Sequence, residues 1–148
     1  RLNKFSHRFS YVIFRYPNVY GPRQNPKGEA GVVAIFAGQM RKGIIPTIYG
    51  KGTKARDYVY VDEIVKANLI ALKKGSGIYN LGRGLFVEDK EVYKTIASQL
   101  SFPHPPEYAP HRPGEKYRIA LSTLRANQKL GWRSNISFRE GVKKTLYN

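Results

Sequence analysis

The residues in this sequence best suited to chemistry are cations. Lys and Arg number 26 against 10 Asp and Glu, a net charge of +16. Such a surplus attracts anions, whether nucleic acid, an acidic membrane or a phosphorylated small molecule. Arg56 stands out because it opens the alternating run Arg56-Asp-Tyr-Val-Tyr-Val61. Period-two alternation places Arg56, Tyr58 and Tyr60 on one face of a strand and Asp57, Val59 and Val61 on the other. A guanidinium fixed on such a face grips an oxyanion through two parallel N–H bonds, which a lysine cannot do. The plainer expectation is a solvated arginine paired with Asp57 or Glu63. A second arginine, Arg112, opens the turn Arg112-Pro-Gly-Glu115, whose plain reading is a surface turn.

Other chemistries find no support. The chain has no Cys, which excludes disulfides, thiolate metal sites and a cysteine nucleophile, and its three His, at 7, 104 and 111, are too scattered for a metal cluster. A nucleic-acid module would gather its basic residues on one helix or arm with aromatics interleaved. Here no basic run exceeds two residues. Gly28-Glu-Ala-Gly31-Val-Val-Ala34 has nearly the spacing of a dinucleotide fingerprint, but it follows a proline turn rather than a strand and reads as a decoy.

These residues need a scaffold, and 148 residues that are 41% hydrophobic suffice for one domain burying roughly 70% of its unfolded surface. No stretch approaches the ~18 apolar residues of a membrane span, and Arg1 to Ser10 is polar and basic, unlike a signal peptide. A soluble, cytoplasmic protein is expected.

The run Phe9 to Tyr16 mixes β-branched and aromatic residues with little alternation and stops at Pro17-Asn18, which predicts a strand buried on both faces, followed by a turn. A helix follows from about Ala30 to Arg41, with Val32, Val33, Phe36 and Met40 inward and Gly43 closing it. Thr47–Tyr49 and Arg56–Val61 read as strands around the Gly50-Lys-Gly52 turn, with Lys51 and Lys54 solvated. Asp62 is expected to cap a helix burying Val61, Ile64, Val65, Leu69 and Leu72. A strand over Ile78–Leu81 and a helix over Asp89–Leu100 come next. The proline-rich stretch from Pro103 to Pro113 allows only a short extended run. Ser122 suits the cap of a short helix to Leu130, and Ser137-Phe-Arg-Glu140 is a capping box for a last helix to Leu146.

The stretch Arg15-Tyr-Pro-Asn-Val-Tyr-Gly-Pro-Arg23 resembles the extended short-chain dehydrogenase/reductase family of sugar-nucleotide enzymes. Three further segments stand in that family's order: Gly28-Glu-Ala-Gly-Val-Val-Ala-Ile-Phe36, Ile48 to Asp62, and Arg112-Pro-Gly-Glu115 followed by Leu130-Gly-Trp132. The second of the four looks most like the family's UDP-glucose 4-epimerases. The resemblance implies an α/β fold, the C-terminal substrate-binding part of an extended Rossmann-type enzyme. Residues 1–148 would be one unit of short strands and several helices, with Tyr11–Tyr16 a strand of the Rossmann sheet. The N-terminal NAD-binding half, with its glycine turn, is expected to be absent. So is the family's catalytic Tyr-x-x-x-Lys, since none of the eleven Tyr has Lys four residues on; no catalytic residue is assigned.

By the same resemblance, Arg56, Arg112 and Asn18 contact the UDP phosphates, Glu115 accepts from the ribose hydroxyls, and Val33, Thr47 and Tyr49 match uracil-pocket positions. For Val33 and Tyr49 a core or strand role explains the spacing as well. Tyr16 and Pro17 match positions whose backbone lies by the nicotinamide, Pro17 standing where most relatives have Phe or Thr. The implied cofactor is NAD in the intact enzyme and not on this chain alone. The implied partners are a UDP-sugar, the N-terminal half and a second copy in a homo-oligomer, with neither membrane nor nucleic acid favoured. The intact enzyme would interconvert UDP-glucose and UDP-galactose by transient oxidation at carbon 4, and this chain alone is expected to be inactive. A UDP-glucuronate decarboxylase, a dTDP-glucose dehydratase, a non-catalytic relative kept for protein contacts and a basic nucleic-acid module are the alternatives.

Overall fold

The structure is a computed structural model that describes residues 10–27, 31–114 and 117–147. In chain order its elements are β1 (Val12–Arg15), β2 (Asn18–Tyr20), α1 (Val32–Met40), β3 (Thr47–Tyr49), β4 (Ala55–Arg56), β5 (Tyr58–Tyr60), α2 (Val61–Ala71), β6 (Gly77–Asn80), β7 (Val87–Glu88), α3 (Asp89–Leu100), β8 (Glu107–Ala109), β9 (Arg118–Ile119), α4 (Leu124–Leu130) and α5 (Phe138–Tyr147). This is a mixed α/β architecture of short strands. The pairs β1–β6, β2–β5 and β3–β8 are parallel, and β4 lies between β7, antiparallel, and β9, parallel. Parallel pairing demands long crossovers, and the helices supply them.

Strand β5 is the wall between two cores. Tyr58 and Tyr60 enter one, with Tyr20, Phe36, Met40, Ile48, Tyr93, Ile96 and Phe138. Val59 enters the other, with Ile64, Tyr79, Leu81, Leu130 and Trp132. The alternation read from Arg56 therefore holds through Tyr60 and fails at Val61, which opens α2 and packs on the first core with Tyr58 and Tyr60; the strand is interrupted at Asp57. At Asp57 the chain passes from one sheet to the other: its N–H donates to the Ile119 carbonyl and its carbonyl accepts from the Asn18 N–H, each at 3.0 Å. The Asp57 carboxylate is buried and accepts from the backbone N–H groups of Arg83 and Gly84, each at 3.0 Å, and of Leu121 at 3.3 Å. Glu63, also buried, accepts from Ser134 Oγ and from the backbone of Asn135 and Ile136, while the Trp132 indole donates to the Glu63 carbonyl at 2.8 Å. Neither acid is left for Arg56.

Helix α3 has the bounds read from the sequence, with Asp89 and Glu91 in its first turn, where they suit the helix dipole, and left-handed Ser101 at its end. In α5, Ser137 Oγ accepts from the Glu140 N–H at 3.2 Å, but Glu140 turns to Lys144, 3.3 Å away, so only half of the capping box is present. Two expected caps move by one or two residues: Tyr60 precedes α2 with Asp62 in its first turn, and Thr123 precedes α4.

The largest departure concerns burial. Val12 and Phe14 of β1 pack on the second core, whereas Ile13 is 48% exposed, so the strand is buried on one face only. Helix α2 turns Glu63, Ile64 and Ala67 inward and leaves Val65, Leu69 and Leu72 exposed, Leu72 at 83%. Among the described residues β1 pairs only with β6. An open groove of about 350 Å³ runs between β1 and α2, lined by Tyr11, Val12, Phe14, Leu69 and Leu72 among others. Asn18, expected in a turn, instead starts β2 opposite Tyr58. No helix among the described residues is long and apolar enough to cross a membrane.

Gly141 in α5 sits against the ring and hydroxyl of Tyr20, where an added methyl would overlap them. Tyr20 is held by Tyr58, Tyr60 and Phe138 at ring separations of 6.1, 5.9 and 5.4 Å, and its hydroxyl donates to the Phe138 carbonyl at 3.2 Å. Gly→Ala inside a helix normally gains about 1 kcal/mol. Here Gly141→Ala is expected to destabilise by roughly 1–3 kcal/mol through overpacking, measured as a lowered urea midpoint; an unchanged or raised midpoint would contradict the packing.

Candidate functional site

A cavity of about 440 Å³ lies where the first core reaches the surface. Strand β3 contributes Thr47 and Tyr49, two residues apart and so on one face, β4 contributes Arg56, and the paired strands β2 and β5 contribute Asn18 and Tyr58. Arg112 enters from the stretch after β8. Helix α1 forms an apolar wall with Val32, Ile35 and Phe36, and its amino end, at Gly31, opens on the cavity. The unsatisfied N–H groups of a helix start add a positive potential there.

Five residues read from the sequence thus meet in one place: Asn18, Thr47, Tyr49, Arg56 and Arg112. Val33 does not line the cavity; it is 1% exposed in the core, one position from the wall residue Val32. Tyr16 and Pro17 lie at the C-terminal end of β1, Tyr16 being half-exposed and Pro17 packed toward Gly82. Glu115 falls outside the described residues, as do Phe9 and Gly28 to Ala30.

Sequence reading missed Lys54 and Asp89. Lys54, expected in solvent, has a largely buried side chain that lines the cavity with its ammonium 3.4 Å from the buried Asp89 carboxylate. The signal was present, because Lys54, Arg56 and Tyr58 stand at i, i+2 and i+4 of the same extended stretch. Tyr58 was placed on the Arg56 face but given no role.

Electrostatically the cavity is built for an anion. The Arg56 guanidinium donates to the carbonyls of Ala55 at 3.0 Å and Tyr117 at 3.5 Å, and no carboxylate among the described residues pairs with it. The Arg112 guanidinium carbon stands over the Tyr49 ring, 3.7 Å from its centroid. Burial, reinforced by Asp89, pushes the Tyr58 hydroxyl well above its ordinary range, against the smaller opposing effects of a hydrogen bond from Asn18 and the charge of Arg56. Tyr58 is therefore a neutral phenol at pH 7, able to hydrogen-bond a ligand but not to act as a base. Taken together, these groups can hold a polyanionic ligand with an attached apolar or aromatic part against α1.

A family profile described as the NAD dependent epimerase/dehydratase family matches residues 4–82. The chain is 41% identical over 131 residues to the UDP-glucose 4-epimerase of Mycolicibacterium smegmatis, covering 87% of this chain and 42% of that protein. It is 31% identical over 149 residues to the human dTDP-D-glucose 4,6-dehydratase, covering 95% and 41%. Among solved structures, the UDP-glucose 4-epimerase of Thermotoga maritima with UDP-glucose superposes with a TM-score of 0.92 at 41% identity, covering 98% of this chain and 48% of that one. The chain spans about half the length of the relatives it matches. The profile takes in more than half of the chain, including the Tyr16 to Arg23 stretch and the strand that carries Arg56, and on that ground this chain belongs to the NAD dependent epimerase/dehydratase family.

Proposed function

We propose that this chain is the sugar-nucleotide-gripping portion of an NAD-dependent epimerase that interconverts UDP-glucose and UDP-galactose. The observation that carries the reading is the meeting of Arg56 and Arg112 with Asn18, Thr47 and Tyr49 in one cavity. In this reading Arg56, Arg112 and Asn18 bind the diphosphate, and Thr47 and Tyr49 border the base beside α1. Glu115 is assigned to the ribose. Binding energy from this non-reacting nucleotide then orients the sugar for chemistry that occurs beyond the cavity. NAD, when held by the intact enzyme, would supply the hydride acceptor and donor for a reversible oxidation at carbon 4. Tyr16 and Pro17 are the residues of this chain that would border it. The half-exposed Tyr16 at the C-terminal end of β1 suits contact with a group arriving from outside the described fold.

The exposed face of β1 and α2 supports a second part of the proposal. A strand edge without a partner among the described residues, flanked by Ile13, Ile78, Val65, Leu69 and Leu72, is costly in water and suits a covering sheet and helix. We assign that cover to the N-terminal half of the intact enzyme, Tyr11–Tyr16 joining its sheet, within a homo-oligomer.

The test is thermal unfolding with and without excess UDP. A ligand that binds only the folded chain raises the midpoint, and about 100 times its Kd contributes ~2.7 kcal/mol. A dose-dependent rise is expected with UDP. No rise in a cooperatively folding chain would reject the reading, and a rise with single-stranded nucleic acid that excess UDP does not reduce would favour a nucleic-acid module. A larger rise with dTDP than with UDP would favour the dehydratase reading, which the 31% identity to the human dehydratase supports.

A further inference from the structure

We propose that the cleft between α3 and the stretch leading into β8 is a binding site for a small aromatic carboxylate. The cleft has a volume of about 340 Å³ and shares no lining residue with the cavity around Arg56, so its occupant is independent of what that cavity holds. Left-handed Ser101 ends α3 and turns the chain back. Three hydrogen bonds fix the returning stretch. The Phe102 N–H donates to the Ala97 carbonyl at 2.9 Å, the Tyr93 hydroxyl to the His104 carbonyl at 2.9 Å, and the Glu107 N–H to the Pro46 carbonyl at 3.2 Å, where β8 joins β3. Between these ties Pro105 and Pro106 line the cleft from the returning stretch, and Tyr108 lines it from β8.

On α3 the lining positions 90, 93, 94 and 97 share one face. Ala97 has the shortest side chain of the four, and the room it leaves is room that a longer side chain would fill. These walls offer a ligand few polar partners, because proline carries no N–H and the Tyr93 hydroxyl is already given to His104. What they offer instead is flat apolar surface: the two proline rings and Tyr108, whose side chain stays 60% exposed. Such a cleft takes an aromatic ring, and its volume falls in the range of roughly 300–1,000 Å³ usual for small-molecule sites.

The charge at its margin selects the rest of the ligand. Lys90 stands 2.8 Å from the Glu88 carboxylate and is already balanced, whereas Lys94 pairs with no carboxylate among the described residues. One spare ammonium beside apolar walls matches one carboxylate. A dianion such as a phosphate monoester would leave a charge unpaired there.

The experiment is an amide-resolved NMR titration of the 148-residue chain with indole-3-acetate, and in parallel with the neutral indole-3-acetamide. Saturable shifts are expected for the amides of residues 90–97 and 107–108, unchanged by saturating UDP. Lys94→Gln should weaken indole-3-acetate about two- to fivefold, the span of an exposed ion pair, and leave indole-3-acetamide as it was. Ala97→Leu, which keeps a strong helix former, should weaken both at least about tenfold by filling the cleft. If Ala97→Leu fails to fold, Tyr108→Ala, at an exposed side chain, replaces it with the same expectation. Shifts that do not saturate, shifts centred on the groove between β1 and α2, or displacement by UDP would each overturn the proposal. Equal affinity for the acid and the amide, or binding unaffected by the filled cleft, would do the same. Shifts of these amides on raising the protein concentration alone would give the cleft to a second copy of the chain instead.

Discussion

In an Arg56→Ala chain, excess UDP is expected to leave the unfolding midpoint almost where it stands without ligand. Arg56 lines the cavity and pairs with no carboxylate among the described residues. Its neighbours Asp57 and Glu63 are committed to backbone N–H groups and a serine hydroxyl, and its own donors reach only carbonyls. A phosphate arriving there meets an undiminished guanidinium in a partly water-excluded cavity, where charge-assisted bonds are strongest. Removing it should weaken UDP about 10- to 100-fold, the span of ~1.5–3 kcal/mol for hydrogen bonds to charged groups. Arg56→Lys should recover part of the affinity, because it restores the charge without the planar fork. Without UDP, the stability of Arg56→Ala should stay near that of the parent chain. A UDP response equal to the parent's would remove Arg56 from the site.

Asp57→Ala should have the opposite profile, with a large loss of stability whether or not ligand is present. The carboxylate is 1% exposed and ties together three backbone groups, two in the turn after β6 and one after β9. Its removal strands those N–H groups in a place water reaches poorly, each at a cost of about 1–3 kcal/mol if unsatisfied. We expect a net loss of about 3–5 kcal/mol, comparable to breaking a buried ionic contact and a large share of the 5–15 kcal/mol typical of a domain. Asn at 57 retains one acceptor oxygen and should fall between. Urea titration measures both; a loss below about 1 kcal/mol for Asp57→Ala would show that the carboxylate is dispensable. Gly82 belongs to the same arrangement, since a side chain there would run into the Asp57 carboxylate.

These two acids mark where sequence reading reaches its limit. Local signals carried far: the α3 bounds follow from spacing and acidic first-turn residues, the Tyr58/Val59/Tyr60 alternation from the pleat of a strand, and the Ser137 cap from a four-residue motif. Asp57 and Glu63 could not be read this way, because their partners lie 26 to 73 residues away and nothing local distinguishes a buried carboxylate from a solvated one. Helix α2 failed differently. The apolar positions Val65, Leu69 and Leu72 do form a stripe, but periodicity shows only that a stripe exists, not that the described fold covers it. Within the cavity, Arg56 and Arg112 were legible as residue types in a familiar order. Lys54 was not, because its partner Asp89 comes from α3, 35 residues further along the chain.

The wall formed by β5 and the residue before it has a consequence for how freely this sequence can vary. In four consecutive positions, Asp57 anchors distant loops, Tyr58 borders the cavity, Val59 fills one core and Tyr60 fills the other. No two neighbours serve the same place, so a deletion or insertion of a single residue here would misassign all four at once. Substitutions on exposed positions away from such contacts are more readily absorbed. In this tetrapeptide there is no spare position to absorb them, and drift among descendants of this chain should be slowest there.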